Sequence, residues 1–183
     1  MSARKLFTLF AVVLTALLLF AAPAQAASPH FKHGGSPVCT VTTSGSTSST
    51  TCTAVITGLG NQDLLATVTV SGFAVYLCQN NGGNTAPGQN KVLEGPVTAP
   101  TFIPSDAIKN GNLTLNTNAV VLTAATTVSG AAAGCPNPNW TGVQPVLTVT
   151  SISLVIEQPP GTVIFSCSAS DPNGLTGSVA LTC

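Results

Sequence analysis

The sequence predicts an all-β protein: a single antiparallel Greek-key β-sandwich held by three disulfides. Val, Ile, Leu and Ala alternate with Thr and Ser at period two through most of residues 38–183, the mark of half-buried strands. These runs are short and recur about every 8–12 residues between Gly-, Pro- and Asn-rich turns, with no amphipathic helix among them, a spacing that points to a sandwich. Six cysteines lie in the same region, and an even number in an exported chain implies disulfides.

Export is read from the N-terminus. Arg4 and Lys5 precede an apolar run from Leu6 to Ala22, and Ala24-Gln25-Ala26 supplies the small residues of a cleavage site. Together these are the parts of a secretory signal peptide, and the run falls short of the about 20 residues that span a bilayer. The expected organisation is a signal peptide over 1–26, a flexible lead-in over 27–37 and a β-sandwich domain over 38–183. After cleavage three lysines (Lys32, Lys91, Lys109) stand against five carboxylates (Asp63, Glu94, Asp106, Glu157, Asp171), a net charge of −2. With no basic cluster left, nucleic acid is not an expected partner. No second long apolar run predicts membrane insertion after the signal is removed, and the expected location is extracellular.

The lead-in holds both histidines, His30 and His33. A terminal copper site needs free backbone amides before its histidine, and Pro29 has none, so no metal or other cofactor is expected. Strands follow. Cys39 and Val41 alternate with Thr40 and Thr42, and Cys52, Ala54 and Ile56 with Thr51, Thr53 and Thr57, about a Ser/Thr/Gly turn at 43–49. Leu64–Ser71 and Phe73–Leu77 read as two further strands, the second with Phe73, Val75 and Leu77 on one face. Residues 78–90 form a Gly/Asn/Pro stretch that reads as an irregular surface loop. Lys91–Val97 reads as a short edge strand, because Pro96 and Pro100 would interrupt a central one.

Pro104–Gly111 is the one expected helical turn, with Ser105 or Asp106 as its cap. Residues 112–117 and 119–128 read as strands, and 129–142 as a second irregular loop. In Val146–Ile156 the apolar parity slips near Thr150–Ser151, which predicts a β-bulge or a strand that changes sheet. Val163, Phe165, Cys167 and Ala169 are expected to face inward, as are Val179, Leu181 and Cys183.

Six cysteines allow fifteen pairings. Inward parity on neighbouring strands favours Cys39–Cys52 and Cys167–Cys183 as hairpin-type clips, and elimination leaves Cys78–Cys135 to tie the two loops together. Loops of this size are worth about 3–4 kcal/mol each in the chain-entropy model.

Chemistry-bearing patterns are sparse. With both histidines in the lead-in and no G-x-S-x-G, there is no set for nucleophilic hydrolysis. The carboxylates are scattered over turns, so a two-carboxylate glycosidase and a calcium loop at Asn61/Asp63 or Asp171/Asn173 are both disfavoured. Asn112-Leu113-Thr114 and Asn139-Trp140-Thr141 are formal glycosylation acceptors. The candidate binding residues are Trp140 and Tyr76, the only Trp and Tyr, with Asn80, Asn81 and Asn84 of the first loop, since loops on a rigid β scaffold are where binding sites form.

The signal peptide, Gly82-Gly83-Asn84-Thr85-Ala86-Pro87-Gly88-Gln89-Asn90, Ile108-Lys109-Asn110-Gly111-Asn112-Leu113 and Cys135-Pro136-Asn137-Pro138-Asn139-Trp140 resemble small secreted proteins of filamentous actinobacteria. The resemblance implies bacterial export and an immunoglobulin-like sandwich, and brings no catalytic or ligand residues with it. The expectation is a secreted, non-catalytic protein that binds an extracellular partner or glycan or serves the cell surface. Two alternatives are a carbohydrate-binding module that uses Trp140 and a self-associating surface protein, the latter because Val146–Ile156 is uncharged and rich in β-formers.

Overall fold

Among the described residues, period-two alternation builds twelve strands in two facing sheets. The computed structural model describes residues 28–183; the expected signal peptide, 1–26, and Ala27 lie outside the described residues. In the first sheet β3 (Thr47–Thr57) pairs with β1 (His30–Phe31), β2 (Val38–Ser44), β7 (Leu113–Asn116) and β8 (Val120–Thr123), and β12 (Gly177–Ala180) adds to β2. In the second, the long strands β4 (Leu64–Gln79) and β10 (Thr141–Glu157) form the centre. There β5 (Thr85–Pro87) and β6 (Val92–Ile103) pair with β4, while β9 (Thr127–Ser129) and β11 (Val163–Ser170) pair with β10.

The inward residues form one core, in which Ile56, Leu64, Val68, Leu115, Leu122, Ile152, Leu154 and Ile156 are fully buried. The parity slip in β10 is a register shift between Val149 and Ser151, opposite Gly72 and Ser71 of β4. There the backbones close on each other, and a Cβ on Gly72 would lie 2.1 Å from the Thr148 carbonyl oxygen. β4 therefore passes through the bulge as one strand, where the glycine had suggested a break between two.

Both seams between the sheets are pinned. Cys39 and Cys52 face each other in the β2–β3 register and are bonded, with Cα atoms 3.9 Å apart. Cys167 and Cys183 are also opposed and bonded, because Ser168 and Thr182 exchange backbone hydrogen bonds of 2.8 and 2.9 Å. This bridge is not the hairpin clip that parity suggested. The chain end leaves the first sheet, where the Leu181 N–H donates to the Pro37 carbonyl, and crosses to β11 of the second. Phe31 and Phe165 pack at 4.2 Å between centroids on the same side of the sandwich. On the other seam the Asn118 N–H donates to Thr101 Oγ1 at 2.7 Å, and Asn118 Nδ2 donates to the Pro100 carbonyl at 2.8 Å.

Several expectations change. From Ser28 onward the lead-in is held in place: His30 and Phe31 pair with Thr57 and Ile56, and Val55 exchanges backbone bonds with Lys32 and Gly35. The edge strand β6 runs on to Ile103 with both prolines in it. The Pro100 carbonyl points away from β4 toward Asn118, so the missing proline N–H lies on that same flank, where no ladder bond is lost. The 104–111 turn is a short 3₁₀ segment, Ser105–Ala107, and neither Ser105 nor Asp106 caps it; the Ser105 N–H instead donates to Asp63 Oδ1 at 2.8 Å. Val163 is exposed, because a register shift between Ile156 and Glu157 turns it outward.

Thr50 Oγ1 is buried in the core with no hydrogen-bond partner. An unpaired buried hydroxyl costs about 1–3 kcal/mol, so Thr50→Val is expected to hold or raise stability by about 1 kcal/mol in urea unfolding; a loss of that size would contradict the assignment. Gly72→Ala is expected to lose about 1–3 kcal/mol in the same assay, as overpacking does.

Candidate functional site

The two Gly/Asn-rich stretches do come together. Cys78 is bonded to Cys135 across 5.6 Å between Cα atoms. Residues expected as irregular loops take regular forms beside that bridge. Thr85–Pro87 returns along β4 as β5, so that 78–90 is largely a hairpin. Its turn is closed by Asn80, whose Oδ1 accepts from the Gly82 and Asn84 amides at 2.9 Å each. In the second stretch Gly130–Ala133 forms a one-turn helix, α1, capped by Ser129 Oγ on the Ala132 amide and ended by Gly134 in the left-handed region. Asn90 then bonds the end of α1: its amide donates to the Ala133 carbonyl at 3.1 Å, and its Nδ2 to the Ala132 carbonyl at 3.2 Å.

Of the five candidate binding residues, Tyr76 does not reach the surface. Tyr76 is 1% exposed and belongs to the core, with its hydroxyl donating to the Ala125 carbonyl at 2.9 Å and to Glu94 Oε1 at 3.3 Å. Trp140 is half-buried against the core. Asn80 is engaged in its own turn, while Asn81 and Asn84 stand exposed at the tip. The acids of the two disfavoured calcium loops are amide acceptors: Asp63 receives the Ser105 amide and Asp171 the Asn173 amide, each at 2.8 Å. His30 and His33 are exposed, and His30 Nδ1 lies 2.9 Å from the Ser28 carbonyl.

A hollow of about 360 Å³ lies between Leu59–Asn61 and Ile108–Gly111, at the lower end of the sizes that hold organic ligands. One wall is rigid: Gln158 accepts from the Gly60 amide at 3.0 Å and donates to the Gly60 and Gln62 carbonyls at 2.9 and 2.8 Å.

The strongest functional signal is the outer face of the second sheet. Five of the six exposed large hydrophobic residues among the described residues lie there: Leu93 (85%), Val146 (63%), Phe102 (60%), Val163 (56%) and Leu77 (37%). The register groups them. At one end Leu93 faces Phe73, Val146 faces Val75, and Pro87 faces Leu77; Lys91 Nζ sits 4.1 Å above the Phe73 ring. At the other end Phe102 and Glu157 flank Leu65, and Val163 faces Glu157. Between the ends runs a hydroxyl belt across β6, β4, β10 and β11, of which Thr98, Thr69, Ser153 and Ser168 make one row. Clustered exposed apolar surface of this kind marks a contact site.

Sequence reasoning passed over this face because both parities of residues 73–78 are apolar. The signal was present in Cys78: a bridged cysteine sits inward, which turns Phe73, Val75 and Leu77 outward.

Burial chiefly, then the Glu94 carboxylate and its hydrogen bond, raise the Tyr76 hydroxyl above its ordinary value of 10.0. A raised value means that the folded state holds the proton more tightly than the unfolded state. The contribution is complete below pH ~10 and is lost as pH rises through the folded-state value. Tyr76→Phe is expected to lower stability by about 1–2 kcal/mol at pH 7, through the orphaned Ala125 carbonyl, and to flatten the fall in melting temperature expected of the unsubstituted protein above pH ~10. An unchanged alkaline profile would contradict this. No family model matches the chain, and comparison with the curated proteins finds no match.

Proposed function

We propose that this is a secreted, non-catalytic β-sandwich protein that acts by contact, presenting the outer face of its second sheet to another extracellular surface. The cluster of exposed Leu93, Val146, Leu77, Phe102 and Val163 carries this reading. A monomer that left such a face in water would gain nothing from it, and exposed apolar patches are characteristic of interaction sites. Export is supported by the signal-like N-terminus and by the three intrachain disulfides, which persist in oxidising compartments. The same reading places the chain with the small secreted actinobacterial proteins that its loops resemble.

A Greek-key, immunoglobulin-like topology accompanies the proposal. One sheet runs β2, β3 and then the β7–β8 pair, and the other runs β11, β10, β4, β6. These correspond to strands A-B-E and G-F-C-C′ of the immunoglobulin arrangement, with β12 added beside the first strand.

The carbohydrate-module alternative is less favoured, because Tyr76, the other aromatic such a site would use, lies in the core. Retention of the exported protein on peptidoglycan sacculi, chitin, cellulose and a resin carrying the protein itself separates the readings. Retention on at least one phase is expected, lost at least tenfold in Leu93→Glu/Val146→Asp and kept in Trp140→Ala. Retention on none, or retention that depends on Trp140 and ignores the face, would overturn the proposal.

A further inference from the structure

The geometry points to a second copy of this chain as the occupant of that face, in a two-fold dimer whose axis lies between the apposed faces of the two copies and perpendicular to their strands. This rests on the contact-surface reading and adds the partner. From Leu65 to Leu77 the face is about 40 Å long at about 3.3 Å per residue, and four strands about 4.8 Å apart make it about 19 Å wide. That is on the order of 750 Å² per copy, against about 800 Å² for a standard interface.

The arrangement of the face is self-complementary. Apolar clusters occupy both ends, and the belt between them carries hydroxyls without charge. The two charged residues that the register brings to the face stand at opposite ends: Lys91 over Phe73, and Glu157 beside Leu65. A two-fold axis parallel to the strands would set Lys91 against Lys91 and Glu157 against Glu157. The perpendicular axis instead sets each apolar cluster on the partner's opposite cluster, and each lysine toward the partner's glutamate. Lys91 leans over β4 at Phe73, and Glu157 lies on the adjacent β10 beside Leu65. With the axis crossing at the level of Val70, which sets Val75 on the partner's Leu65, the pair is offset by one strand spacing and about two residues, within the combined reach of the two side chains. Such a contact uses the same patch on both copies and closes on itself. The two rim ion pairs select the orientation more than they add affinity.

Within one chain the Lys91 ammonium, over Phe73, and Glu157, beside Leu65, are about 26 Å apart along the strands, so any coupling between them must be intermolecular. Sedimentation equilibrium of the exported, oxidised protein at low salt is expected to show a dimer with a dissociation constant on the order of micromolar. Lys91→Glu and Glu157→Lys are each expected to weaken it about 5- to 10-fold, and the double exchange to restore it to within about 2-fold. Val146→Asp, an exposed change that leaves the core alone, is expected to abolish it. A protein monomeric to about 1 mM, a dimer indifferent to Val146→Asp, or additive losses in the double exchange would overturn the inference. If the protein is monomeric yet still held on sacculi through Leu93 and Val146, self-association falls and the contact reading stands; if it is neither, both fall.

Discussion

The antiparallel ladder between β4 and β10 decides which side chains meet the core and which meet water. It runs from the Gln79–Thr141 pair to the Leu65–Glu157 pair, with bulges that keep the apolar sets aligned despite a change of parity in β10. A slip of one residue would send Leu64, Val68, Ile152 and Leu154 outward and bring in Thr67, Thr69 and Ser153. The bulge opposite Gly72 lets two out-of-phase apolar runs, Leu147/Val149 and Ile152/Leu154/Ile156, face the same core. Its cost is a backbone approach that only glycine tolerates. The outer face depends on the same register, since Phe73, Val75 and Leu77 point outward only because Ala74, Tyr76 and Cys78 point inward.

Around that ladder the structure closes its own edges. Sheet edges are templates for unwanted pairing, and here each seam is occupied: Cys167–Cys183 with the Ser168–Thr182 exchange on one side, Asn118 with Pro100 and Thr101 on the other. Prolines at positions 96 and 100 further blunt β6. With its edges blocked, the molecule offers its broad apolar and hydroxyl-bearing surface face-on, which favours a closed pairing of faces over an open growth of strands.

Much of this was legible in residue order. Strand parity put Cys39 opposite Cys52, the phase change at Thr150–Ser151 announced the bulge, and the prolines of 91–103 announced an edge. What stayed hidden depended on partners distant in sequence. His30 and Phe31 sit among Pro and Gly and look loose until β3 and Phe165 are beside them. Thr85–Pro87 becomes a strand only through β4, and Gly130–Ala133 becomes a helix under its Ser129 cap and Asn90. Cys167 and Cys183 read as a hairpin because their parity matched, yet they join two sheets. Tyr76 drew notice as a rare aromatic, although its place beside Cys78 at even spacing already marked it as core.

The candidate site was the least legible part, since an exposed leucine and a buried one look alike in a chain apolar on both strand faces. Hydroxyl-radical footprinting of the oxidised protein tests the assignment most directly, comparing a dilute sample with a concentrated or surface-bound one. Leu93, Phe73 and Phe102 should oxidise readily when dilute and become protected several-fold on association. Val121, exposed at 52% on the first sheet, should react equally in both. Protection of Val121 or of the Trp140 segment, with Leu93 and Phe102 unchanged, would contradict the outer face of the second sheet as the surface through which this protein acts.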